Sequence, residues 1–180
     1  MSAGADGIVV RVADGNDLDA VISVGHRTWL ATYEPIAGPE YVAMGLAKWW
    51  TKDVVTASIR TGRTLVAEDT RPATGDGEQG QVIGMATFGV QDDTFYAWKL
   101  YVLPGHHGRR IGSRLMDAVL DRARELGHDT VVLSYIEGND QAAGFYRRHG
   151  FTEHAREDGG SVLPDSIWMS RALDPKEEQP

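Results

Sequence analysis

Within residues 100–116, LYVLPGHHGRRIGSRLM, the glycines Gly105, Gly108 and Gly112 alternate with His106, His107, Arg109, Arg110 and Arg114. A strand-like run ends at Pro104 and a helix-like run starts near Ile111, so these basic residues crowd the mouth of a helix. A helix start leaves backbone N–H groups without partners and carries the positive end of the helix dipole, so it stabilises an anion placed on its axis. Gly108 and Gly112 let the backbone approach the anion, while Arg109, Arg110 and Arg114 can pair with phosphate oxygens. The chemistry expected here is the holding of a pyrophosphate. The bland alternative is a plain strand-to-helix turn, for which Gly105 and Gly108 suffice.

Rival chemistries fail on the residues. A dinucleotide fingerprint needs G-x-G-x-x-G, which this spacing lacks, and a P-loop needs a lysine where Gly112 runs straight into Ser113. His106 and His107 are neighbours that point apart, with no H-E-x-x-H around them, so no metal site is expected. The chain has no cysteine, which excludes disulfides and a thiol nucleophile, and no G-x-S-x-G elbow is present.

The elements that must position this corner are legible on both sides of it. Residues 8–12 read as a strand ending at Asp14-Gly15-Asn16, where Asp14 or Asn16 caps a helix with apolar Leu18, Val21, Ile22 and Leu30. Pro35 to Pro39 is expected to break that helix, and residues 40–60 read as one or two short helices containing Trp49 and Trp50, both expected in the core. Residues 64–68 and 81–88 read as a hairpin around TRPATGDGEQG, residues 70–80, which has nothing to bury and is expected to be mobile. Residues 95–103 form a third strand that feeds the corner.

Beyond the corner, Leu115, Met116, Val119, Leu120, Ala123 and Leu126 make one apolar stripe, Arg114, Asp117, Asp121 and Glu125 face away, and Gly127 suits the left-handed stop. Residues 130–135 read as a strand, and 140–149 as a helix capped by Asn139 and stopped by Gly150. Residues 151–156 and 167–171 close the chain as strands. The predicted class is α/β: strand, two helices, three strands, then β-α-β-α and closing strands, on one mixed central sheet, parallel in its middle and antiparallel towards its ends.

At 180 residues the chain fits one domain, with 1–6 and 174–180 as flexible tails. No targeting segment or membrane-length apolar run is visible, so a cytoplasmic protein with no membrane partner is expected. The net charge of −8 disfavours nucleic acid and suits the long-range attraction of a cationic small molecule.

The corner resembles the signature of the GCN5-related N-acetyltransferases (GNAT), Q/R-x-x-G-x-G/A after a strand that ends in proline. Here the window is His107-Gly108-Arg109-Arg110-Ile111-Gly112. His107 stands where the family has Gln or Arg, and Arg110 where it usually has Gly, a replacement that fits a backbone already in the right-handed helix. A second block, NDQAAGFYRRHGF from Asn139 to Phe151, is similar to the family's N-x-x-A-x-x-F-Y-x-x-x-G-F. Asn139, Ala142 and Tyr146 then share one helix face.

The resemblance implies a GNAT-like fold and acetyl-CoA as cofactor, with CoA as product. It places the pyrophosphate on the N–H groups of Gly108, Arg109, Arg110, Ile111, Gly112 and Ser113, with His107 beside them, and the pantetheine arm along Leu100, Tyr101 and Val102. Asn139 would bond that arm, Phe145 would pack near it, and Ala142 would let it pass. Tyr146 matches the tyrosine that donates to the departing sulfur, a sensible role for a phenol. No carboxylate occurs in Tyr96-Ala97-Trp98-Lys99 where many relatives carry a base, which leaves Glu34 in TWLATYEPI, a water chain or solvent.

Tyr33, Tyr96 and Trp98 would line the acceptor pocket. The activity implied is direct acetyl transfer to an amine of a small molecule or peptide, by a chain that pairs as a homodimer in many relatives. A non-catalytic acyl-CoA-binding or regulatory domain is the alternative.

Overall fold

The computed structural model describes residues 7–71, 80–160 and 163–174; the expected tail 1–6, all but Asp174 of the expected tail 174–180, and most of the 70–80 loop lie outside these. The element order is β1 (Ile8–Val12), a 3-10 turn (Gly15–Asp17), α1 (Leu18–Trp49), α2 (Lys52–Arg60), β2 (Thr64–Asp69), β3 (Gln81–Gln91), β4 (Thr94–Val102), α3 (Ile111–Glu125), β5 (Thr130–Ile136), α4 (Asp140–Arg148), β6 (Thr152–Glu157) and β7 (Ser166–Ala172). The strands form one sheet in the order β1-β2-β3-β4-β5-β7-β6, with β4 and β5 parallel and every other neighbour antiparallel. The expected α/β class and its order of elements hold. What local patterns did not give is the last crossover, which seats β7 between β5 and β6.

Asp14 caps the 3-10 turn in a reciprocal box. Its side chain accepts from Asn16, and the Asp17 carboxylate accepts from the Asp14 N–H at 2.8 Å. The same Asp17 carboxylate takes both Arg11 guanidinium nitrogens at 2.7 and 2.8 Å, tying the helix start to β1. In α1 the core face is Val21, Val24 and Trp29, whereas Leu30 is exposed: at about 100° per residue it follows Trp29 round to water.

The proline segment breaks α1 at a single point. Gly38 adopts φ 82°, ψ 171°, and Pro39 starts the second arm, where a missing N–H costs nothing. The arms fold back on each other through Trp29, which stacks on Tyr41 at 5.7 Å and packs against Gly45, where a Cβ would collide with the indole. Trp50 lies just past the helix end and is buried; Trp49 is half-buried.

The α3 stripe is buried as expected from Leu115 to Ala123, but Leu126 is exposed because the helix has already ended, with Gly127 in the left-handed region at φ 81°. Arg114 does not simply face solvent: it donates to the Ile8 carbonyl at 3.0 Å. In β4, Leu100 approaches Gly112 of α3 while Tyr101 meets Trp50, so α3 and the α1–α2 junction cover opposite faces of the sheet. No helix among the described residues is long and apolar enough to cross a membrane.

Candidate functional site

The parallel pairing of β4 and β5 stops after Phe95↔Val131 and Tyr96↔Val132. The strands then diverge and leave the far half of β4 without a partner on that side. The Leu103 N–H donates to Ile83 in β3 at 2.9 Å, so by the two-residue alternation of the ladder Leu100 and Val102 turn their backbone groups into the gap. The gap opens into a cleft of about 720 Å³ walled by α1, β4, the corner, α3, β5 and α4. Of the residues expected to serve a site, it is lined by Tyr33, Trp98, Leu100, Tyr101, Val102, His107, Gly108, Arg110, Ile111, Gly112, Ser113, Asn139, Ala142, Phe145 and Tyr146.

One end of the cleft is the start of α3. The first helical bond runs from Arg114 N–H to Arg110 carbonyl at 3.0 Å, and no side chain caps the helix, so the amides of Ile111, Gly112 and Ser113 have no helical partner. Arg110 corrects an expectation. It is left-handed, φ 57° and ψ 15°, so the backbone uses the torsions glycine would supply and the arginine carries strain. Gly112 serves a different end: a Cβ there would lie 3.2 Å from the Phe145 ring, so the glycine lets α3 approach α4 without displacing that ring.

Arg109 turns away from the cleft. Its guanidinium bonds Asp69 at 3.0 Å, and Arg71 with Arg109 holds that carboxyl well below the usual carboxylate range. His107 bridges instead: its Nε2 meets the Val102 carbonyl at 3.1 Å and its Nδ1 meets the Gln141 side-chain amide at 3.4 Å. An Nε2–H tautomer satisfies both contacts, so His107 links the end of β4 to α4 across the cleft mouth.

On the opposite wall, Asn139 caps α4 by accepting from the Ala142 N–H at 3.2 Å. Tyr146, one turn beyond Ala142, has no hydrogen-bond partner among the described residues. Burial pushes its hydroxyl above the ordinary phenol range, so it stays protonated throughout the physiological range.

The other end lies roughly 13 Å up β4 from Val102, at about 3.3 Å per residue, where Trp98 and Lys99 meet α1. The β3–β4 register shifts here, pairing Thr87 with Lys99 and Phe88 with Ala97, so Trp98 is the extra residue of a bulge. Trp98 stacks on Tyr96 at 4.3 Å and is 46% exposed; Tyr96 supports it without lining the cleft. Lys99 donates to the Trp49 carbonyl at 2.9 Å and sits 4.2 Å from the Trp50 ring centroid, and burial pushes its pKa down to about 8.

The Trp29 indole N–H and the Tyr33 hydroxyl both lie 3.2 Å from the Tyr101 hydroxyl. The indole can only donate, and an unused Tyr101 proton at this depth would cost about 1–3 kcal/mol, so the chain runs Trp29→Tyr101→Tyr33. The Tyr33 proton is then the one left facing the cleft.

Glu34 is exposed and does not line the cleft: the helical step that points Tyr33 inward points Glu34 outward. Sequence reasoning also missed the α1 wall of Thr28, Ala31, Thr32 and Ile36, and it passed over Lys99 because it was looking for a carboxylate. The signal for the wall was present in the four-residue spacing of 28, 32 and 36.

Three comparisons with known proteins bear on the family and the fold. The profile of the acetyltransferase (GNAT) family matches residues 27–151. Uncharacterised N-acetyltransferases of Mycobacterium bovis and Mycobacterium tuberculosis are 29% identical over 138 residues, covering 75% of this chain and 83% of theirs. Among solved structures, the PaiA N-acetyltransferase of Thermoplasma acidophilum in complex with coenzyme A superposes with a TM-score of 0.76 at 20% identity, covering 92% of this chain and 99% of that one. YncA of Salmonella typhimurium with acetyl-CoA gives 0.64 at 23% identity, covering 96% and 97%.

Proposed function

The chain belongs to the GNAT family and is an N-acetyltransferase whose donor is acetyl-CoA; we propose that the uncapped start of α3 and the open edge of β4 hold this donor, and that Tyr146 serves the departing sulfur. The observation that carries the reading is the conjunction of an uncapped helix start and an open strand edge on one cleft of about 720 Å³. The amides of Ile111, Gly112 and Ser113 suit a pyrophosphate. The edge at Leu100 and Val102 suits an amide-containing arm laid down like an added strand, with the Val102 carbonyl already engaged by His107. Arg110 and Arg148 line the same cleft and add positive charge. Arg109 is left out, since its guanidinium is committed to Asp69.

Acetyl-CoA supplies a thioester, whose acetyl carbon is attacked by a neutral amine. A backbone N–H of the β4 edge polarises the carbonyl as charge develops on its oxygen. Tyr146 donates a hydrogen bond to the leaving sulfur. Its hydroxyl is a weaker acid than an ordinary thiol, so it stabilises the thiolate without being fully deprotonated by it. Asp140 is the single carboxylate that lines the cleft among the described residues, and it lies on α4 beside the corner end. The acceptor therefore loses its proton to water, and turnover rises with pH towards the acceptor's own pKa.

The test is thiol release from acetyl-CoA over a panel of amines, with acetyl-CoA binding measured separately by calorimetry. Binding together with acceptor-stimulated release is expected. Binding with no acceptor effect would leave only a non-catalytic acyl-CoA-binding domain.

A further inference from the structure

Among the described residues, the acceptor end of the cleft presents donors and no carboxylate. The Trp29→Tyr101→Tyr33 chain leaves the Tyr33 proton turned into the cleft. Lys99 lines the same end, with one N–H spent on the Trp49 carbonyl and its charge above the Trp50 ring, and no acidic side chain pairs with it among the described residues. A half-buried ammonium without a counter-ion favours an anionic ligand, since the ligand restores the charge balance that burial removed. The exposed Trp98, backed by Tyr96, lines the same cleft and offers an apolar seat for a side chain.

We propose that this end selects amines carrying a carboxylate next to the amino group, of the α-amino acid type, with the Tyr33 hydroxyl and the Lys99 ammonium donating to the carboxylate oxygens. The proposal rests on the acetyl transfer argued above and narrows its acceptor. It also sets aside the expectation drawn from the overall charge of −8. A polyamine's second ammonium would meet Lys99 where it needs a carboxylate.

The experiment uses matched acceptors, phenylalanine against phenethylamine and alanine against ethylamine, with spermidine as the polycation, in the full-length protein. The expected result is a kcat/KM at least tenfold higher for each carboxylate-bearing partner, with spermidine poorest. In Tyr33→Phe, and separately in Lys99→Met, the phenylalanine-to-phenethylamine ratio should fall at least tenfold, with KM for the amino acid carrying the loss. A preference for spermidine or for the decarboxylated amines overturns the proposal. An equal loss across all acceptors in Tyr33→Phe also overturns it, because the hydroxyl would then be acting on the thioester oxygen. Acetyl-CoA binding with no turnover on any amine overturns the transferase reading itself, a result distinct from both. Should Lys99→Met fold poorly, Tyr33→Phe together with N-acetylphenylalanine and N-acetylphenethylamine binding in the presence of CoA decides the matter.

Discussion

Arg110 shows how a single residue can serve two ends that conflict. Its left-handed backbone favours glycine, while the residue lines the cleft to which it adds positive charge. Arg110→Gly should therefore raise stability by about 1 kcal/mol in denaturant unfolding and raise KM for acetyl-CoA by roughly tenfold, the worth of one charge-assisted hydrogen bond. A variant that gained affinity would exclude Arg110 from the donor site. Tyr146→Phe removes the hydroxyl alone, and kcat should fall by about a hundredfold or more with little change in acetyl-CoA affinity. Stopped turnover combined with lost binding would point to a structural role instead.

Lys99 adds a pH signature. Its amine titrates near 8 in the folded chain against an ordinary 10.5, so between those values the unfolded state holds more protons and stability rises with pH. Lys99→Met should accordingly stabilise the protein at pH 7, and that gain should shrink as the pH passes 8 towards 10.5. Unfolding curves at the two ends of that window check the sign.

At the scale of the element, what could be read from the sequence was whatever neighbours in the chain decide. The α3 stripe, the Asn139 cap and the stops at Gly127 and Gly150 all follow from residues within one or two turns of each other. The Trp98 bulge and the Arg109–Asp69 pair were not legible, since the first depends on the register of the neighbouring strand and the second on a partner 40 positions away, whereas the break at Gly38 fell inside the expected Pro35 to Pro39 segment. The site followed the same division. The residues of the two family-like blocks could be placed on the cleft, whereas the Trp29→Tyr101→Tyr33 chain joins α1 to β4 across 72 positions and leaves no local trace.

The turn before α1 offers a test at this scale. Asp17 is nearly buried, caps the turn and neutralises Arg11, which holds its carboxyl below the usual range. Asp17→Asn should cost about 2–3 kcal/mol, having removed a charge partner while keeping the shape. The stabilisation it provides is fully present above pH 3.8 and fades as the pH falls below that value, so the difference between wild type and variant should narrow in acid.

Across the whole molecule, two tryptophans seated on helix glycines set the shape of the acceptor end. Gly25 receives the Trp50 ring and Gly45 receives Trp29, so a methyl group at either position would push an indole into its neighbours. Gly45→Ala should cost about 1–3 kcal/mol by overpacking, and because Trp29 heads the hydrogen-bond chain to Tyr33, acceptor KM should suffer more than KM for acetyl-CoA. The placement of β7 between β5 and β6 has a consequence in time. As the chain emerges during synthesis, residues 152–157 appear before the strand they must pair with, and they wait in water as Thr-Glu-His-Ala-Arg-Glu, exposed throughout and rich in charge. Until residues 166–172 arrive, β5 has an open edge and β6 has no partner, so the last two strands join the sheet only once β7 has been made.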